Sequence, residues 1–301
     1  MDDAIKKSKD MFLDNLPTYK RRRIFEIDFI RGLCIILMLF DHVTYLAGYT
    51  FGIPWYGRTI SHGMSAGADF ALFSRWYWTS AYREIGHPVV LFFFFSISGI
   101  SCYLSRSNLK RGLVLTAVSA LYSIATYILQ TQAGLNGTLV SFGVLNMLAV
   151  CIMMFVGITA LSRLISKNRT VSKWIACGVF AALTLTIVLM YYYYIPPKNT
   201  PIWLFFLFPP GYFFTQAQVS PGDFFPMIPY SAFFFFGAAI APILYGKKRT
   251  LFPYLDRAWH RPISFIGRYT LIIYLSHIVI LTMIFALIGY LFITPGDWLI
   301  F

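Results

Sequence analysis

Seven long apolar runs, separated by short polar connections, set the pattern of the chain. They fall at about 24–50, 87–104, 112–131, 141–164, 174–195, 226–245 and 266–293. Each approaches or exceeds the roughly 20 apolar residues that cross a bilayer core of about 30 Å as a helix. The runs are continuous, whereas barrel strands alternate over about ten residues, so the pattern selects helices. It predicts an all-α polytopic membrane protein, a bundle of about seven or more transmembrane helices. Residues 24–293 then form one transmembrane domain, 1–23 a polar and basic N-terminal segment, and 294–301 a short tail. Two connections, about 51–86 and 196–225, are long and rich in Gly, Pro and aromatics, and together could form a lid or acceptor cleft.

Charge orients the bundle. The chain carries 25 Lys and Arg against 12 Asp and Glu, a net charge of +13, while only 12% of its residues are charged. That is half the usual complement of a soluble domain, and 58% hydrophobic residues exclude disorder. Twenty of the basic residues flank one set of span ends, four (Arg58, Arg75, Arg83 and Lys198) flank the other, and Arg31 lies inside a span. The positive-inside rule therefore puts the N-terminus in the cytoplasm and the C-terminus outside. The excess charge is topology and attraction to lipid, not a nucleic-acid footprint. Residues 1–19 place Ile5, Phe12, Leu13 and Leu16 at helical spacing, compatible with a helix on the inner leaflet or with a solvated tail. The first apolar run is too long for the core of a cleavable signal peptide. All four cysteines (Cys34, Cys102, Cys151, Cys177) fall inside spans with no CxxC spacing, so neither a disulfide framework nor a zinc site is expected.

Ionisable groups inside a span are costly and mark function. The first run, FEIDFIRGLCIILMLFDHV, holds four: Asp28, Arg31, Asp41 and His42. Eleven helical residues separate Arg31 from His42 and leave about 20° of rotation, so the two share a face, roughly 16 Å apart along the axis. Arg31 belongs to the cytoplasmic half and His42 to the outer half. Asp28 stands one turn before Arg31 and can pair with it, whereas Asp41 points about 100° away from His42. A purely structural Asp28–Arg31 pair and a boundary histidine form the plain alternative. Ser96, Ser98 and Ser101 in the second run, and Asn146 in the fourth, read first as helix-packing groups. His277 falls near mid-membrane in GRYTLIIYLSH, and His62 and His87 are external. These histidines lack HxxH or HExxH spacing, so no metal is expected.

Five segments, EIDFIRGLCIILMLFDH, FFFFSISGISCYLSRSNLKRG, FGVLNMLAV, SPGDFFPMIP and GRYTLIIYLSHIVIL, occur in an order that resembles the heparan-alpha-glucosaminide N-acetyltransferase catalytic-domain family, in its short bacterial form. The Arg31-x10-His42 spacing is also similar to the wider membrane acyltransferase group that includes the acyltransferase type 3 proteins. The resemblance implies an O- or N-acyltransferase of a bacterial cell membrane that moves an acetyl or other short acyl group from cytoplasmic acyl-CoA, by default acetyl-CoA, to an extracytoplasmic sugar or glycan. It implies catalysis at His42, with Asp41 beside it, and Arg31 along the route of the thioester. In the lysosomal branch an Asn stands at the position of His42 and the catalytic His lies in the first lumenal loop. His62 is the histidine of the corresponding loop here, so the base is His42 or His62, with His42 favoured. On this reading Arg31, Asp28, Arg106, Arg111, Ser98 and His277 serve the acyl-CoA donor.

The residues themselves agree. Acyl transfer needs a base titrating near neutrality, which histidine supplies. A polar stripe along one helix lets a charged donor stay inside while its thioester meets an acceptor outside. Basic cytoplasmic loops suit CoA phosphates, although topology alone also accounts for them. A transporter or flippase using Asp28, Arg31 and His42 is the second reading, though no internal repeat supports it. A single copy and a homo-oligomer are both open.

Overall fold

The structure is a computed structural model and describes residues 24–51, 65–134, 137–194, 202–211 and 214–292. The basic N-terminal segment, His62 and the C-terminal tail lie outside the described residues. Among those described there are ten α-helices and no β-strand. They are α1 (Phe25–Tyr45), α2 (Ser65–Thr79), α3 (Ala81–Leu104), α4 (Asn108–Thr131), α5 (Val144–Ile165), α6 (Arg169–Tyr193), α7 (Gln216–Val219), α8 (Met227–Leu244), α9 (Arg261–Arg268) and α10 (Thr270–Phe292). Seven of them (α1, α3, α4, α5, α6, α8 and α10) are long and apolar enough to cross a membrane. The expected all-α polytopic architecture is observed.

Helix boundaries depart from the apolar runs where polar caps decide them. The α3 helix begins at Ala81, six residues before its apolar run, because the Ser80 hydroxyl accepts from Arg83 N–H at 3.4 Å and caps the first turn. Asn168 caps α6 in the same way, accepting from Thr170 N–H at 2.9 Å. Asn146 also has a capping role: its side-chain oxygen accepts from Gly143 N–H at 3.2 Å at the start of α5. The connection expected over 51–86 contains a 15-residue helix, α2. The last apolar run is broken at Tyr269, separating the short α9 from α10.

Helix α8 packs along α3 and α6, α4 packs on α5, and α9 crosses α1. The main apolar core joins α3, α5, α6 and α8 through Phe95, Cys102, Met147, Cys151, Phe155, Phe180, Phe234 and Phe235. In lipid there is little hydrophobic gain from bringing two apolar helices together, so close approach of small residues carries the association. Two pairs supply it. A Cβ on Gly99 would strike the Phe234 carbonyl and one on Gly237 the Ser96 carbonyl, so these glycines let α3 and α8 touch backbone to backbone. Gly32 and Gly267 do the same for α1 and α9, against the Ile263 and Asp28 carbonyls.

Both ends of the bundle are tied across long sequence distances. At the end where α1 begins, buried Glu26 accepts from Thr250 hydroxyl and Leu251 N–H, each at 2.6 Å. Beside it, His260 bridges Asp256 and Ser264, at 3.1 Å each, and stacks on Phe25 at 4.4 Å. At the opposite end, segments 137–143 and 220–225 lie together. Gly222 N–H donates to Leu139 O at 2.9 Å, Phe225 N–H to Phe142 O at 3.0 Å, and the Ser220 hydroxyl accepts from Ser141 N–H at 2.9 Å. Met227 N–H then donates to Phe206 O at 2.8 Å and Ile228 N–H to Leu207 O at 3.0 Å, which fixes the preceding loop against the start of α8.

Candidate functional site

One helix, α1, carries a polar cluster at each end. At the cluster nearer the start of α1, called inner because the positive-inside reading assigns that end to the cytoplasm, Arg31 donates to the Ser101 hydroxyl of α3 at 2.6 Å and lies 3.7 Å from the Asp28 carboxylate. Asp28 also meets Arg268 of α9, with Nε at 3.4 Å. Arg111, from the first turn of α4, donates to the Ser101 carbonyl at 3.5 Å. Three guanidinium groups from α1, α4 and α9 thus gather around one carboxylate and one serine. The cluster has a net positive charge at the end that the charge distribution assigns to the cytoplasm. Arg268 is a member that sequence reasoning left among the loop cations, and the GRY segment that quotes it gave no sign of its partner.

At the outer cluster, His42 and His277 meet edge to face, with ring centroids 4.6 Å apart and planes at 89°. His42 Nδ1 is 2.9 Å from Met38 O, and His277 Nδ1 is 2.6 Å from Tyr274 O. A carbonyl only accepts, so in the neutral form of each ring Nδ1 carries the proton and Nε2 has the lone pair. His277 Nε2 is buried and has no hydrogen-bond partner. Such an atom is rare in a folded protein and points to a role outside packing. Tyr274 stands 5.6 Å from His277, ring to ring, and its hydroxyl donates to Asp223 Oδ2 at 2.8 Å. The same carboxylate oxygen accepts Val144 N–H at 3.1 Å.

Asp41 turns away from His42. Arg83 grips it with Nε and a terminal nitrogen, at 3.0 and 3.1 Å, and Tyr77 hydroxyl donates to it at 3.2 Å. The Arg83 guanidinium lies 3.4 Å over the Trp78 ring. Asp41 therefore ties α1 to α2 and α3 beside the histidines, in agreement with the 100° offset read from the sequence. Among the other expected site residues, Ser98 donates to Phe94 O of its own helix at 2.8 Å, and Ser101 takes the contact with Arg31 instead. Arg106 is exposed in the turn between α3 and α4. His62 lies outside the described residues. No group of three or more His, Cys, Asp or Glu suited to a metal occurs among the described residues.

A family model described as heparan-alpha-glucosaminide N-acetyltransferase, catalytic, matches residues 23–279, from the start of α1 through His277. The chain belongs to this family. Both polar clusters lie inside the matched region, and membership makes the chain a multi-pass membrane protein of a membrane acetyltransferase family whose general donor is acetyl-CoA. No curated protein and no solved structure matches the chain.

Proposed function

We propose that this member of the heparan-alpha-glucosaminide N-acetyltransferase family transfers an acetyl group from cytoplasmic acetyl-CoA to a sugar or glycan on the far side of a bacterial cell membrane, with His42 as general base. The observation that carries the reading is the His42–His277 contact, in which both Nδ1 protons are spent on helix carbonyls and both Nε2 atoms are proton acceptors.

The inner cluster receives the donor. Arg31, Arg111 and Arg268 offer guanidinium groups to CoA phosphates, and Asp28 holds Arg31 and Arg268 in place; Arg106 adds a cation at the entrance. Guanidinium forks suit phosphate oxygens geometrically as well as by charge. The thioester points along α1 towards His42. There, Nε2 takes the proton of an acceptor hydroxyl or amine as its O or N attacks the thioester carbonyl carbon. The tetrahedral intermediate collapses, the C–S bond breaks, and the imidazolium returns its proton to the departing sulfur. The products are the acetylated acceptor and CoA. Asp41 serves this step through the helices it braces, and His277 accepts a hydrogen bond from the imidazolium while it exists.

The test is release of CoA thiol by the purified protein from acetyl-CoA, with glucosamine and glucose as probes for amine and hydroxyl acceptors. His42→Ala should fold, be stabilised by CoA and lose transfer by about 10²–10⁴-fold, the usual worth of a general base. His62→Ala and His277→Ala should retain more. If His62→Ala is the inactive variant and His42→Ala is active, the base belongs to the external loop. If CoA at millimolar concentration stabilises nothing and no thiol is released, the transporter reading takes precedence.

A further inference from the structure

The outer loop that joins α7 to α8 contributes a carboxylate to the site, Asp223, which none of the chemistry above uses. Its Oδ2 accepts from two neutral donors, Tyr274 hydroxyl and Val144 N–H. None of the ion pairs among the described residues includes it, although Asp28, Asp41 and Asp256 all have cationic or imidazole partners. A Cβ on Gly143 would collide with this oxygen, so the approach of Asp223 to the start of α5 depends on a glycine there. Burial pushes the Asp223 carboxyl up, and the Val144 and Tyr274 hydrogen bonds, followed by the charge of His42, pull it down. Contacts carry the carboxylate to His42: the Tyr274 hydroxyl donates to it at 2.8 Å, the Tyr274 ring stands 5.6 Å from His277, and His277 meets His42 at 4.6 Å.

We propose that Asp223 is a positioning residue for the transfer step, the fixed counter-charge that stabilises the imidazolium formed on His42. This rests on the acyl-transfer reading with His42 as base. The charge inventory around His42 favours Asp223 for the task. On α1, Asp41 is adjacent, but its charge is answered by Arg83 of α3. His87 of α3 and His277 of α10 are further imidazoles and add no negative charge. Tyr274 of α10 is a neutral phenol whose hydrogen bond fixes the carboxylate. One unanswered negative charge remains when His42 takes a proton. The proton moves from acceptor to His42 and then to the leaving sulfur; Asp223 exchanges none and acts through its field.

The sign of the effect follows. A fixed negative charge stabilises an imidazolium nearby, so removing it leaves the protonated form of His42, on which transfer depends, less stabilised. Asparagine preserves the shape of Asp223 and its oxygen still accepts from Tyr274 and Val144, so Asp223→Asn tests charge and not packing. In the full-length protein in detergent, with acetyl-CoA and glucosamine, Asp223→Asn should move the acid limb of the kcat/KM profile to lower pH. Its plateau kcat should fall about tenfold, with KM for acetyl-CoA unchanged. Tyr274→Phe leaves the charge in place, so its acid limb should stay or rise. A wild-type profile for Asp223→Asn overturns the inference. So does a downward limb in Tyr274→Phe, which is also the deciding measurement should Asp223→Asn fail to fold. If His42→Ala is inactive while Asp223→Asn matches the wild type, only this inference fails. If the wild type releases no CoA, the acyl-transfer reading fails and this inference falls with it.

Discussion

Replacing Asp28 by Asn tests whether the inner cluster is a prepared anion site. The substitution keeps the shape of the side chain and removes the negative charge that Arg31 and Arg268 share. At the 3.7 Å separation from Arg31, an effective dielectric of about 20 gives a gross attraction of about 4 kcal/mol. Much of this is offset by the cost of burying both groups, yet deleting one partner of a buried pair typically costs about 3–5 kcal/mol because the other charge stays behind. Here the side chains of Arg31 and Asp28 are 19% and 13% exposed, and Ser101 keeps one Arg31 donor satisfied. Both facts reduce the expected loss to about 2 kcal/mol, or roughly 3 °C in the unfolding midpoint of a chain this size. The assay is a thermal scan in detergent with and without CoA. A ligand at one hundred times its Kd adds about 2.7 kcal/mol to the stability of the intact protein. If Asp28 aims Arg31 and Arg268 at the donor, Asp28→Asn shows a smaller CoA increment as well as a lower starting midpoint. An unchanged midpoint together with an unchanged CoA increment would refute the reasoning.

Three further outcomes are expected. Gly99→Leu should destabilise the protein by about 1–3 kcal/mol or abolish its expression, because the new side chain meets the Phe234 carbonyl; Gly86→Ala in the same helix meets nothing within 4 Å and should be neutral or mildly stabilising in the same scan. Arg83→Met should lower the unfolding midpoint by loosening α3 and α2 from Asp41, while leaving CoA stabilisation at the far end of α1 intact. Because burial raises the Asp223 carboxyl in the folded protein, its ionisation opposes folding: the group favours the folded state below its unfolded pKa, and that contribution is lost as pH rises through the folded pKa. Asp223→Asn should therefore be at least as stable as the wild type at pH 8, with the difference shrinking towards pH 4, and a variant markedly less stable at pH 8 would contradict this.

The membrane spans were legible because each is a continuous apolar run, and the two ends of α1 were legible because helical geometry is regular. Eleven residues from Arg31 to His42 define a face whatever surrounds the helix, and both residues do make contacts with other spans. The start of α3 was hidden because Tyr82, Arg83 and Glu84 look like loop, and only the Ser80 cap makes them helix. Helix α2 was hidden for a related reason: it mixes Arg75 and Asp69 with Trp76 and Trp78, a composition shared by surface helices and aromatic loops. The choice of Ser98 over Ser101 failed to foresee the Arg31 contact because both serines lie on a helix whose rotation against α1 is set by tertiary packing.

Asp223 was the least legible member of the outer cluster, and its partners show why. Its two hydrogen bonds come from Val144 and Tyr274, 79 and 51 residues away in sequence, and it stands in a Gly- and Pro-containing loop that carries no period. Periodicity reads faces of helices; it cannot read a side chain that a loop delivers. The structure also redistributes the four ionisable groups of the first apolar run. Asp28 and Arg31 meet one another and Arg268, and Asp41 is held by Arg83 and Tyr77. These three are satisfied by charge or hydrogen bond, which is what intramembrane charges require in order to exist at all. His42 differs, because its one hydrogen bond to Met38 O uses Nδ1, and its ring meets edge to face that of His277, whose own Nε2 is buried without a partner. Two imidazoles that can each accept but not donate to one another are joined only when a proton arrives. A carboxylate that enters no ion pair among the described residues is joined to this pair through Tyr274, and our proposal of a site that borrows a proton during reaction and returns it requires such an arrangement.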